Sequence, residues 1–367
     1  MKYKTAIFLI IGIIIMVVIL NFIGIDEIIT SLKIADFSLI FLAIVVQFLT
    51  YYLLALRWDI INKIANINVS IQSILLMILV GFSINNITPS GRGGGEPVRA
   101  FILSKYAKRP YEETFATVIA DKALDMFPFL VLSIISVIFF ILSFDLSDLG
   151  HGNLILAILI ISVVGVTIAS GLVIYTSINE KFGKKATSWV VNLINRFYKK
   201  DPESLEKKAM KAISGFQKTM RMMLSDKKIL YYALPLSFLI WASEILRVYI
   251  VFLAFGVTVS PLLIGAVFIL ASLIGMIPLL PGGLGAIDGV MISFYSLAGI
   301  PPSISAAATV IERLISFWMT TTLGFIILPH FGASVLDKIK NSSFDEKETV
   351  KEIVEELDHI EGMENDK

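Results

Sequence analysis

Seven ionisable residues lie inside stretches that are otherwise apolar: Asp121, Lys122 and Asp125 in one, Glu244 and Arg247 in a second, Glu312 and Arg313 in a third. A charge in such a stretch costs roughly 2.5–3.5 kcal/mol if the stretch crosses a membrane, so it marks a function or a partner. Glu244 and Arg247 are three residues apart and share a helix face. Lys122 and Arg313 are expected to lock helices together by ion pairing. For Glu244, Arg247 and Glu312 a substrate role and a structural role stand equal. Two carboxylates four apart, Asp121 and Asp125, do not by themselves make a metal site.

A second kind of chemistry belongs to backbone. The stretch Pro89-Ser90-Gly91-Arg92-Gly93-Gly94-Gly95-Glu96 carries four glycines and is followed by Pro97. Glycines let the chain bend and present its N–H groups, and Pro suits the first turn of a helix. The amino end of a helix attracts anions through free N–H groups and its dipole. Arg92 and Arg99 add guanidinium forks suited to phosphate. A phosphate headgroup is therefore expected here, with Glu96 as an acidic gate. The plainer reading has Glu96 capping its own helix and pairing with Arg99.

These residues need a frame to hold them, and composition supplies it. Hydrophobic residues are 56% of the 367, charged residues only 17%, and the mean hydropathy is +0.82. A soluble domain carries about a quarter charged residues. A bilayer asks for about 20 apolar residues per crossing helix. Six runs qualify, at about 5–24, 37–56, 114–143, 153–176, 229–255 and 303–329. The first follows Lys2 and Lys4, is too long for a secretory core, and is expected to remain as an anchor. The expectation is an all-α polytopic membrane protein.

Two more apolar stretches, 70–88 and 262–280, end in Pro and Gly. If 70–88 crossed fully, Arg92, Arg99, Lys105, Lys108 and Arg109 would lie outside, against the bias of Lys and Arg to the cytoplasm. Two re-entrant helical hairpins, 70–106 and 262–298, resolve this. Both termini are then cytoplasmic.

The two breaks resemble each other. Pro281-Gly282-Gly283-Leu284-Gly285-Ala286-Ile287-Asp288 repeats the order of Pro, glycines and a carboxylate seven residues after the Pro, 192 residues later. Ala116-Thr117-Val118-Ile119 recurs as Ala308-Thr309-Val310-Ile311 at the same offset. Arg57 has a rough counterpart in Arg247, and Asp121-Lys122 sits near the equivalent of Glu312-Arg313. The chain reads as two inverted repeats, 1–143 and 153–330, each with three spanning helices and one hairpin. Inverted repeats with broken helices are a transporter signature. Asp288 opens the helix after the second break as Glu96 does after the first.

Residues 177–228 carry thirteen Lys/Arg against five Asp/Glu. Apolar stripes (Phe182, Ala186, Trp189, Val190, Leu193, Phe197, then Leu205, Ala209, Ile213, Phe216, Met220) suggest a cytoplasmic helix pair lying on anionic lipid. A folded cytosolic helical hairpin is the alternative. The tail 331–367 is acidic and has one apolar stripe. The chain has no cysteine, which excludes disulfides and thiolate sites. There is no GxxxxGK[ST] loop for ATP. His151, His330 and His359 are scattered and expected on the surface. No cofactor, metal site or nucleic-acid partner is expected, nor a catalytic residue.

Asn85-Asn86-Ile87-Thr88-Pro89 through Gly95-Glu96-Pro97-Val98-Arg99, with Pro281-Gly282-Gly283-Leu284-Gly285, resembles the signatures of the lysylphosphatidylglycerol synthase transmembrane-region family. The resemblance covers about 5–330. It implies a flippase in the cell membrane, moving a lipid between leaflets. It does not imply aminoacyl-lipid synthesis, which belongs to a separate cytosolic domain in bifunctional members. Asp288 stands near where the family often has Glu. The partner expected is a lipid with an anionic or polyprenyl phosphate headgroup, contacted by Arg92, Glu96 and Arg99, with Glu244, Arg247, Asp288 and Glu312 as further candidates. An ion-coupled solute transporter, an intramembrane lipid-modifying enzyme and a non-transporting scaffold are the alternatives.

Overall fold

The apolar runs become helices in a computed structural model, which describes residues 25–88, 94–143, 202–276 and 281–332, with Asn21 and scattered positions between 160 and 188. No strand occurs among the described residues. The helices are α1 (Ile25–Lys33), α2 (Phe37–Ile64), α3 (Ile71–Ile87), α4 (Gly95–Ala107), α5 (Tyr111–Leu124), α6 (Met126–Ser143), α7 (Pro202–Ser225), α8 (Leu234–Ala254), α9 (Pro261–Met276), α10 (Ala286–Leu297), α11 (Pro302–Arg313) and α12 (Thr320–Ile327). One π-helical turn leads into α8, and another joins α11 to α12. Among the described residues, four continuous stretches are long and apolar enough to cross a membrane: Phe37–Ile64, Tyr111–Phe139, Ile229–Ala254 and Pro302–Phe331. The protein is an all-α polytopic membrane protein. Four of the six expected crossings coincide with these stretches. The runs at 5–24 and 153–176 fall largely outside the described residues.

The longest helix, α2, would reach about 42 Å at 1.5 Å per residue, ample for a ~30 Å hydrocarbon core. Asp36 starts it by accepting the Ser38 N–H, 2.8 Å, which satisfies a donor the helix end leaves free. Its apolar residues divide by exposure. Phe41, Val45, Phe48 and Tyr52 face outward, whereas Ala43, Val46, Tyr51 and Leu54 are buried. A helix apolar all round can do this only in a lipid-like solvent.

α2 and α8 run antiparallel along their length. Asp36 N–H reaches Ala254 O at one end, Thr50 meets Ser243 midway, and Arg57 meets Ser237 at the other. Each contributes one half to each of two buried cores. The first gathers the later half of α2 with α3, α4, α5 and the end of α7; the second gathers the early half of α2 with α8, α9, α10 and α11.

Both glycine-broken stretches fold as antiparallel helix pairs. In α3–α4, Ser73 bonds Tyr106 at the open end, and Gly81 lies against Gly95 near the break. A Cβ on Gly95 would overlap the Gly81 backbone, so this approach requires glycine there. In the second pair, α9 packs on α10. The last span of each half packs on the helix pair of the other: α12 on α3, and α6 on α9. The halves therefore interlock rather than sit side by side.

Pro128 explains the break between α5 and α6. It has no N–H for the Leu124 carbonyl, so the helix hesitates at Asp125 and turns that carboxylate inward.

The second apolar stripe of the basic insert forms α7, and its later part docks on α5. Met220 and Met223 are about 1% exposed, and Phe216 packs against Phe115. In that part the stripe is covered by protein rather than left for lipid, closer to the folded alternative than to a helix lying on the membrane. Most of the first stripe, and the tail from 333 onward, lie outside the described residues.

Candidate substrate site

Helix rotation sorts the ionisable residues. Neighbours on a helix point about 100° apart, so Asp121 and Lys122 face different partners. Asp121 Oδ1 accepts from Arg57 Nε at 2.8 Å, and its Oδ2 accepts from Arg99 Nη2 at 3.0 Å. Arg57 also donates to Asp125 (2.5 Å) and to the Ser237 hydroxyl (2.9 Å). Arg57 is 1% exposed and Asp121 2%. Buried charges of this kind persist only when paired and hydrogen-bonded. The Arg99 guanidinium lies 4.1 Å from the Trp58 ring centroid, a cation–π contact, and Trp58 donates to Thr117.

Lys122 turns the other way, to the break. Its Nζ is 3.3 Å from Glu96 Oε1. Glu96 is buried, and its Oε1 also accepts from Asn85 Nδ2 at 3.4 Å. Asn85 Oδ1 meanwhile accepts the Gly95 N–H at 2.6 Å. The cap of α4 is thus the Asn85 amide from the facing helix. The plainer expectation, Glu96 capping its own helix and pairing with Arg99, is not what forms: Arg99 goes to Asp121 and Glu96 to Lys122. Arg92 lies outside the described residues.

The second half holds a comparable arrangement. Arg247, fully buried, contacts Glu244 at 2.5 Å, Glu312 at 2.8 Å and the Gln47 amide oxygen. Arg313, the neighbour of Glu312, faces the second break. Its Nε is 2.9 Å from Asp288 Oδ1, its Nη2 donates to Gly282 O, and its guanidinium stacks on Phe317. Asp288 Oδ2 accepts the Gly285 N–H at 2.7 Å and so caps α10. For Glu244, Arg247 and Glu312 a substrate role and a structural role stand equal in the sequence, and the structure does not place them at this break. They close instead on α2 through Gln47, and Arg313, expected only to lock helices, is the cation at the break. The helix-locking expectation for Lys122 and Arg313 becomes more specific: each ties a span to a broken helix.

The two breaks meet. Gly282, at φ +57°, packs against the Asn86 carbonyl and the Phe317 ring, with no room for a Cβ. Asn86 Nδ2 donates to Thr321 Oγ1 (2.8 Å) and to Phe317 O (3.3 Å) on the π-helical turn before α12. Ser83 donates to Thr320 O, and Tyr51 bonds the Thr320 hydroxyl. Amides and hydroxyls of Tyr51, Ser83, Asn86, Thr320 and Thr321 thus hold the tip of α3 against α12 in the interior. Gln47, Trp58, Asn86 and Ser237 were not picked out as site residues. Gln47 carries a usable signal, an amide inside an apolar run. Ser237 carries none, since serine is ordinary in membrane helices.

Residues 6–324 match the family model described as the lysylphosphatidylglycerol synthase TM region. A UPF0104 membrane protein of Methanothermobacter thermautotrophicus is 50% identical over 339 residues, covering 92% of this chain and 99% of the relative. UPF0104 membrane proteins of Methanocaldococcus jannaschii (31%) and Pyrococcus horikoshii (30%) each cover 89% of this chain, and 94% and 96% of the relative. These names state a membrane protein and no reaction.

Proposed function

The chain belongs to the lysylphosphatidylglycerol synthase TM region family, and from that premise we propose that it carries a phosphate-headgroup lipid between the leaflets of the cell membrane. The observation that carries this reading is the meeting of two broken helices in the interior, each with a first-turn carboxylate facing a cation from the following span. Irregular backbone at membrane depth is tolerated where it is buried in protein or lines a wet cavity. A phosphate can replace a carboxylate opposite Lys122 or Arg313, because both are anions with several acceptor oxygens.

On this reading α3–α4 and α9–α10 are re-entrant, and the halves are inverted repeats with both termini cytoplasmic. Their reciprocal ties support the repeat: Arg57 to Ser237, and Arg247 to Gln47. Arg92, Glu96 and Lys122 serve the headgroup at the first break, Arg99 being held by Asp121 and Trp58 rather than free for the lipid, and Asp288 holds the second. Arg247, Glu244 and Glu312 serve as the fixed joint between halves. The lipid is anionic or a polyprenyl phosphate. The chain acts as a carrier and not as an enzyme.

The test is lipid movement in proteoliposomes, using fluorescent phosphatidylglycerol and fluorescent polyprenyl phosphate with a membrane-impermeant quencher. Protein-dependent movement that falls in Arg92→Ala and Lys122→Met supports the reading. Folded protein that moves neither probe, at any pH gradient across the membrane, overturns it.

A further inference from the structure

Buried carboxylates in this protein are held unequally. Asp121 has an arginine on each oxygen. Asp288 has a backbone N–H on one oxygen and Arg313 beside the other. Glu96 is 6% exposed, yet its Oε2 is buried with no hydrogen-bond partner among the described residues. Its Oε1 has only two long contacts, Asn85 at 3.4 Å and Lys122 at 3.3 Å. An unsatisfied buried acceptor is costly, and a proton on Oε2 would remove the charge that makes it so.

The charge balance around Glu96 gives that proton a consequence. Asn85 of α3 is neutral. From α4 comes Arg99, from α5 come Asp121, Lys122 and Asp125, and from α2 comes Arg57. Among the described residues, three cations face three carboxylates when Glu96 is ionised. Arg57 and Arg99 are occupied by Asp121 and Asp125, so protonating Glu96 leaves Lys122 without a counter-charge. The Lys122 side chain is 46% exposed and can receive another anion.

We propose that Glu96 binds one proton in exchange for its hold on Lys122, so that proton and phosphate headgroup are carried together. This rests on the lipid reading above. The proton sits on Oε2, the phosphate takes the place of the carboxylate opposite Lys122, and no bond within the lipid changes. On the far side the proton leaves, Glu96 recovers its charge and competes the phosphate off Lys122. Proton plus lipid monoanion is electroneutral, so the cycle responds to a pH gradient and not to membrane potential.

Two measurements test this separately. Infrared difference spectra of the purified protein on acidification are expected to show a protonated-carboxyl stretch. That stretch is lost in Glu96→Gln and kept in Asp59→Asn, whose carboxylate sits in a separate pair with Lys63. Lys122→Met, which keeps the carboxyl and removes the facing cation, keeps the stretch and changes its frequency, because the carboxyl loses its charged neighbour. It also covers the case in which Glu96→Gln does not fold. In proteoliposomes at zero potential, each unit of pH gradient is expected to shift the leaflet ratio of the phosphatidylglycerol probe, a phosphodiester monoanion, about tenfold, and this shift vanishes in Glu96→Gln. A carboxyl stretch unchanged in Glu96→Gln overturns the proton site. A probe that moves but ignores the gradient overturns the coupling and leaves the carrier. A Glu96 stretch in a protein that moves no probe overturns the lipid reading and the coupling built on it, and leaves the proton site.

Discussion

Arg57 on α2 is bonded by Ser237, ten residues before Arg247, and Arg247 on α8 is bonded by Gln47, ten residues before Arg57. Each arginine also closes on a carboxylate of a later span, Asp121 for Arg57 and Glu312 for Arg247. The two antiparallel helices thus hold each other through one device used twice. Both arginines are at most 1% exposed, which makes them the fixed joint around which the breaks are arranged.

Removing one member of such a joint strands the others. Arg57→Met leaves Asp121 and Asp125 facing each other with only Arg99 between Asp121 and an unpaired state. A loss of about 3–5 kcal/mol is expected. Ser237→Ala removes a single neutral partner and is expected to cost about 1 kcal/mol. Thermal unfolding of both variants in nanodiscs orders them. Equal stability of Arg57→Met and the parent would contradict the joint.

Close helix approach makes a separate expectation. Gly95→Ala places a methyl on the Gly81 backbone and is expected to destabilise by about 1–3 kcal/mol through overpacking. Gly265→Ala meets only ordinary contact, with Ile245 at 3.5 Å, and gains up to about 1 kcal/mol of helix propensity. Unfolding midpoints measured side by side should move in opposite directions.

The two cations at the breaks are expected to behave differently. Lys122 is half exposed and Arg313 nearly buried. Lys122→Met should keep the fold and lower lipid movement by about ten- to hundredfold, the worth of one charge-assisted contact. Arg313→Met should lose stability first, because it leaves Asp288 buried without its cation. Melting curves run beside the lipid assay separate the two outcomes.

The chain has no native cysteine, so a cross-link can be placed cleanly. Asn86→Cys with Thr321→Cys joins the tip of α3 to α12, where the parent side chains are 2.8 Å apart. If the tip must part from α12 to pass a headgroup, oxidation stops lipid movement and a thiol reductant restores it. Undiminished movement in the oxidised protein would show that this contact stays closed throughout the cycle.

Helix α7 gives an expectation away from the site. Met220→Lys together with Met223→Lys places charge in the buried contact with the first core. Limited proteolysis within 202–225 is expected to quicken strongly, while the melting of the membrane core changes little. Unaltered cleavage would mean that α7 is held by something other than this apolar stripe.

The linear sequence carried the membrane fold because the bilayer imposes a one-dimensional rule. Runs such as 37–56 and 229–255 must be helices, since only an internally satisfied backbone can cross hydrocarbon. It carried both break points for a local reason: Gly94-Gly95 and Pro281-Gly282-Gly283 cannot continue a helix smoothly. It also marked Glu96, Arg99, Arg247, Asp288 and Glu312, because ionisable residues in apolar surroundings are conspicuous. Pairing was not legible. Asp121 and Lys122 are adjacent in sequence, yet one secures Arg57 and Arg99 while the other faces Glu96. That division follows from the rotation of one helix against three neighbours. The meeting of Gly282 with Asn86, the interlocking of α12 with α3, and the bare oxygen of Glu96 were likewise decided in three dimensions. Each depends on which helices lie side by side, and apolar runs, interchangeable as lipid-soluble segments, do not encode their neighbours in their order along the chain.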